Sequence, residues 1–238
     1  MLLVLLAPLA VMAVMDDPEP QLRIASTWDH AAVLIVDGDA RALVINTNDR
    51  ELARAVTGRL ARPWEPRPLI LIAPASDRAA IGLLEALQQG EPGMVVVAGT
   101  PGADPLWDAI ERECWRRGVT LTYLTGRTSI DLGRVSVDVA APEPDIDGER
   151  VVVVTRGATR VVIALDGGAP EEPGNVLVTG GGVGAHADLV ITTEQASRAS
   201  SVHEIVVGTR DIVRVSLETS TIRVTGGTPR VPASEASP

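Results

Sequence analysis

The chain begins with an apolar run over residues 1–15, interrupted only by Pro8, and Asp16-Asp17-Pro18-Glu19-Pro20 ends it. From Leu22 the pattern changes to short apolar blocks separated by polar ones. Blocks at 22–25, 31–37, 42–45, 69–72, 94–98, 120–124 and 135–139 are β-like in length and composition. Between them the polarity predicts helices. Asn48 reads as an N-cap, with Glu51 three residues on completing a capping box for a helix to about residue 60. Residues 77–89 put Ile81, Leu84 and Leu87 near one helical face. Asp104-Pro105 supplies a cap and a first-turn proline for a helix to about residue 117.

The second half is richer in strands. Blocks 151–156 and 160–165 flank a turn at Gly157 and read as a hairpin. Further strands are expected at 175–178, 189–191, 205–208, 212–217 and 221–224, with a short helix near 194–200. The Pro/Ser/Ala-rich end, 228–238, reads as a disordered tail. This divides the chain into a hydrophobic segment (1–15), a linker (16–21), one domain (22–227) and a tail. Apolar strands interleaved with helices imply sheets covered by helices, hence an α/β or α+β class.

Composition changes this picture mainly by exclusion. The chain of 238 residues is 45% hydrophobic and 22% charged, which fits a folded core. Its net charge of -10 argues against gripping nucleic acid, which needs a basic footprint. Every one of its 21 basic residues is arginine. Without lysine, a Walker-type phosphate loop and a Schiff base are both excluded.

The remaining chemistry is sparse. His30, His186 and His203 are the only imidazoles, and their spacing matches no local metal motif. Gly180-Gly181-Gly182-Val183-Gly184 has backbone groups that suit a phosphate cradle. No clear helix follows it, so it reads as a connection between strands. Cys114 shares a helix side with Leu106, Trp107 and Ile110 and reads as core. Ser26 and Ser76 lack a nucleophile-elbow context. Asp108, Glu111, Arg112, Glu113, Arg116 and Arg117 form a solvated, salt-bridged helix face.

Residues 1–15 are short for a complete membrane span. They fit the tail of a transmembrane helix, an atypical signal or anchor, or a buried helix, and the acidic proline-rich break favours the first two. The acidic flank places the following domain on the extracytoplasmic face.

Element order and a few anchor segments resemble the metallo-β-lactamase superfamily, and more narrowly the C-terminal domain of ComEC-type DNA-uptake channels. The family's Asp-Val-Gly-Gln-Gly-Asp-Ala turn corresponds to Ser26-Thr27-Trp28-Asp29-His30-Ala31-Ala32. Its Leu-Ile-Asp-Thr-Gly strand end corresponds to Val44-Ile45-Asn46-Thr47-Asn48. Its metal motif, Thr-His-x-His-x-Asp-His, corresponds to Ile72-Ala73-Pro74-Ala75-Ser76-Asp77-Arg78, followed by Gly82. Asp166 falls where the family's metal-bridging aspartate stands. Ala187-Asp188-Leu189-Val190 resembles the strand before its His-His-Gly-Ser turn, which here reads Thr192-Thr193-Glu194-Gln195.

The resemblance implies a four-layer αββα sandwich preceded by a hydrophobic helix. It also implies a metal site degenerated at Ala73, Ala75 and Arg78, where only Asp77 and Asp166 survive. The expectation is a non-catalytic domain without a metal cofactor, joined through residues 1–15 to the membrane and to a channel, in a structural or binding role. Two alternatives stay open. One is a metal-dependent hydrolase or nuclease with an unusual ligand set (Asp77, Asp166 and His186). The other is a plain membrane-anchored interaction domain.

Overall fold

Valine, isoleucine and leucine fill the strands, and β-branched side chains pack well on a pleated surface. The computed structural model describes residues 19–27, 30–60, 68–142, 150–165, 173–179, 187–193, 203–208, 211–218 and 222–230. The first half forms β1 (Gln21–Thr27), β2 (His30–Asp37), β3 (Ala40–Val44), α1 (Arg50–Leu60), β4 (Ile70–Pro74), α2 (Asp77–Gln89), β5 (Met94–Ala98), α3 (Pro105–Arg117) and β6 (Thr120–Leu124). The second half forms β7 (Gly126–Asp131), β8 (Ser136–Ala141), β9 (Val151–Arg156), β10 (Thr159–Ala164), β11 (Gly174–Thr179), β12 (Ala187–Thr193), β13 (His203–Val207), β14 (Ile212–Leu217), β15 (Ile222–Thr225) and β16 (Thr228–Arg230).

These strands make two eight-stranded mixed sheets, ordered β15-β14-β1-β2-β3-β4-β5-β6 and β16-β13-β12-β11-β10-β9-β8-β7. In the first sheet β3 to β6 run parallel, and in the second β10 to β13 do. The sheets pack face to face. Leu22, Ile24, Val33, Ile35 and Ile72 of the first meet Val137, Val152, Val161, Val178 and Ile191 of the second in one buried cluster. Each fully buried leucine or isoleucine there contributes roughly 2 kcal/mol. Of the four-layer αββα sandwich expected from the sequence, the two packed sheets and one helical layer stand among the described residues.

The opposite face of the first sheet carries the helices. Leu34, Leu43, Leu71, Val95 and Val97 pack against Val56, Leu60, Leu83, Leu87, Trp107 and Ile110. Arginine side chains tie down helix ends there. Arg23 donates to the Leu60 carbonyl at 2.9 Å, and Arg117 to those of Leu87 at 2.8 Å and Gly90 at 3.0 Å. A cation at a helix C-terminus meets both unpaired carbonyls and the negative end of the dipole.

Three expectations need correction. The cap of α1 is Asp49, whose carboxylate accepts from Leu52 N at 2.9 Å, so the helix starts one residue after the Asn48 frame. Both residues suit the position, and the turn around Thr47, whose hydroxyl accepts from Asp49 N, selects between them. Residues 126–131, not expected as a strand, form β7, because Gly126 at φ 92° turns the chain from one sheet into the other. Residues 228–230, placed in the tail, pair with β13 after the chain crosses between the sheets again at Gly226 and Gly227, both at positive φ. The hydrophobic segment 1–15, the expected helix at 194–200 and the tail beyond residue 230 lie outside the described residues. Among the described residues no helix is long and apolar enough to cross a membrane.

Candidate functional site

In both sheets the parallel strands deliver their C-terminal ends to the same rim of the sandwich. Ligand sites in open parallel sheets form at such an edge, because backbone groups and loops converge there. Several hydrogen bonds knit it. Asn46, just past β3, donates its side-chain amide to the Leu165 carbonyl just past β10. Leu165 N in turn donates to Arg150 O at 2.9 Å, and Ala75 N to Ala98 O at 2.9 Å.

The rim places the residues of the segment that resembles the metal motif as follows. Ala73 is fully buried on the helix side of β4. Ala75 is half-buried, and Ser76 caps α2 by accepting from Ala79 N at 3.2 Å. Asp77 and Arg78 are exposed in the first turn of that helix. Asp77 lies beside Gly102 in the loop after β5, since a Cβ built on Gly102 would meet its Oδ1 at 3.7 Å. A divalent metal at this strand end would need nitrogen or oxygen donors converging at about 2 Å. Alanine methyl groups supply none, and Arg78 adds a fixed positive charge to the same turn. The residues described here do not fit a metal centre. No cluster of three or more metal-ligating side chains occurs among the described residues. Asp166, His186 and the glycine-rich loop 180–184 lie outside them.

His30 and His203 are not brought together. His30 opens β2, paired with Thr27 at the rim, whereas His203 opens β13 at the other end of the sandwich. A five-residue strand separates the two levels by about 15 Å.

What the rim does hold is hydroxyl, amide and guanidinium. Ser26, next to last in β1, and Thr193, last in β12, share strand faces with Ile24 and Ile191, so both hydroxyls point between the sheets. They are 1% and 0% exposed, and neither oxygen has a hydrogen-bond partner among the described residues. Asn46 and Thr47 are buried nearby, and Arg150 lies beside Gly99, where a Cβ would meet its Nε at 3.0 Å. Hydroxyls and amides both donate and accept, and a guanidinium only donates, so with Arg150 the set suits a neutral polar or anionic group better than a bare cation. Sequence reasoning placed Thr193 in the segment corresponding to the family's His-His-Gly-Ser turn but gave it no role, and it missed Arg150. No local pattern shows that the two lie at one rim, because only the stacking of two sheets brings their strand ends together.

Cys114 is buried against the helix-side core, and burial followed by the charge of Glu113 raises its thiol to about 11. It is therefore protonated at neutral pH and inert as a nucleophile. Its neighbour Glu113 is lowered to about 2, first by the hydrogen bond from Arg116, then against burial by Arg117. Glu85 is the buried carboxylate of α2. Burial raises it, but hydrogen bonds from Gln89 and Arg54 and the charges of Arg54 and Arg50 outweigh that and leave it lowered.

No family model and no curated protein matches the chain. Among solved structures it is similar to the metallo-beta-lactamase fold protein YhfI from Bacillus subtilis. That match has 11% identity and a TM-score of 0.49, covering 74% of this chain and 86% of that one. It is also similar to the Rm3 metallo-beta-lactamase, at 12% identity and a TM-score of 0.43 over 74% of this chain and 67% of that one. The sandwich of two mixed sheets described above is a metallo-β-lactamase-like fold on its own strand order and packing.

Proposed function

We propose that this domain is a non-catalytic version of that scaffold, serving a structural or binding role in a ComEC-type membrane protein of DNA uptake. One observation carries the non-catalytic part: alanines at 73 and 75 and an arginine at 78 occupy the strand end where metal chemistry on this scaffold would need imidazoles. The hydroxyls of Ser26 and Thr193 and the guanidinium of Arg150 support a binding rim for polar or anionic groups in place of a metal pocket. The DNA-uptake part rests on the sequence resemblance and on the apolar run at residues 1–15, which suits attachment beside a membrane channel. The net charge of -10 supports leaving DNA contact to the channel, since gripping DNA needs a basic footprint.

The test is metal content and hydrolysis measured together. Purified full chain, loaded with zinc or manganese and dialysed, should retain no stoichiometric metal and should not cleave single-stranded DNA or a simple phosphodiester. Retention of one equivalent, or cleavage abolished by Asp77→Ala or Asp166→Ala, would sink this reading in favour of a hydrolase.

A further inference from the structure

A sheet edge recruits another strand unless something repels it. Three of the four edge strands described carry such a device. β15 is four residues long and bears Arg223, paired with Glu218 at 3.4 Å. β16 is three residues long and contains Pro229. β7 carries Arg127 and Asp131 at its ends. β6 is the exception. It reads Thr-Leu-Thr-Tyr-Leu, without a charge, proline or glycine. It pairs with β5 from Thr120 to Leu124 and has no second neighbour among the described residues.

The helix beside this edge is self-complementary. Tyr123 donates its hydroxyl to Glu111 at 2.8 Å, which sets Glu111 level with the middle of β6 and on the edge side of α3. One turn before it stands Asp108, and one turn after it stands Trp115, which is 87% exposed. Arg112 and Arg116 follow in the same exposed stripe. The stripe is acidic in its first half, and in its second Arg116 is already paired with Glu113 of its own helix at 2.6 Å, so Arg112 carries the basic charge of the seam. Turned end for end about a two-fold axis, it meets its own opposite charges.

The two elements share a midpoint. From Arg117 back to the Glu111–Arg112 midpoint is about 8 Å along the helix. From Thr120 to Thr122 is about 7 Å along the strand. One axis through Thr122 therefore serves both.

We infer that β6 and α3 form a two-fold interface with a second copy of this chain. The β6 strands pair antiparallel with Thr122 opposite itself, and Glu111 faces Arg112 of the second copy. Leu121 then lies across from Tyr123, an aromatic–aliphatic pair of the kind that stabilises sheets. The exposed Trp115 is covered by the facing helix near Asp108. The β7 edge, with Arg127 and Asp131, stays in water.

Sedimentation of the full chain over a concentration series tests this, with thermal melts confirming that each variant folds. The expected species has twice the 25.0 kDa chain mass. Arg112→Glu sets like charges face to face and should weaken the dimer at least about tenfold. Adding Glu111→Arg to it restores opposite charges and should recover the dimer. If Arg112→Glu fails to fold, Trp115→Ser should weaken the dimer in its place. A wild-type monomer at every concentration overturns the inference, as does a dimer indifferent to these variants. An open series of larger species also overturns it, because a two-fold interface closes. So does a monomer that instead captures an added Thr-Leu-Thr-Tyr-Leu peptide, which would make the edge a peptide dock. None of these outcomes depends on metal content or hydrolysis.

Discussion

The side-chain amide of Asn46 donates to the main-chain carbonyl of Leu165, joining the end of β3 in one sheet to the end of β10 in the other. Asn46 is 5% exposed, so the contact lies out of water. An amide can make this bond because it carries donors. A carboxylate cannot, because it only accepts.

Asn46→Asp should therefore cost about 2 kcal/mol, the penalty for leaving a buried acceptor facing another acceptor. Urea unfolding would show it as a lower midpoint with an unchanged slope. A variant as stable as the parent would mean that this amide does not hold the sheets together.

Gly82 lies where α2 passes the strand end of β3. Its N–H donates to Thr47 O at 3.1 Å, and a Cβ there would meet Thr47 Cγ2 at 2.7 Å and Thr47 O at 2.8 Å. Gly82→Ala would gain about 1 kcal/mol of helix propensity but must push the helix off the rim. Overpacking of this kind costs about 1–3 kcal/mol, so the expected sign is destabilising or neutral. A rise in melting temperature of several degrees would contradict the close approach.

Glu113 supplies a pH prediction. Its carboxyl is lowered from 4.5 to about 2 in the folded chain, chiefly by Arg116. A lowered folded value means that the unfolded state takes up the proton first as pH falls. The stability from Glu113 is present above about pH 4.5 and is lost as the pH drops towards 2. Glu113→Gln should be less stable than the parent at pH 7 and should flatten the acid limb between those values. Equal slopes in the two proteins would show that the ion pair does not form in solution.

Local pattern made part of this readable. The residues 77–89 helix, the Asp104-Pro105 start of α3 and the hairpin about Gly157 each follow from neighbours within a few positions, and all three stand where expected. The alanines at 73 and 75 were equally legible, since residue identity at a strand end is read directly from the sequence. β7 and β16 were not, because each begins at a glycine crossing whose direction depends on a sheet elsewhere in the chain. The cap at Asp49 was missed by one residue for a related reason: the preceding turn, held by Thr47, decided it.

The sequence by itself determined the apolar strands, the helices between them and the absence of imidazoles from residues 72–78, because propensity, periodicity and side-chain chemistry act over short stretches. Tertiary structure alone decided which strand ends face one another. It set Asn46 against Leu165, buried the hydroxyls of Ser26 and Thr193 at one rim, and left β6 open beside a self-complementary helix. Those relationships span dozens of residues and arise only when two sheets stack, since burying apolar faces fixes the layers and the layers then choose the neighbours.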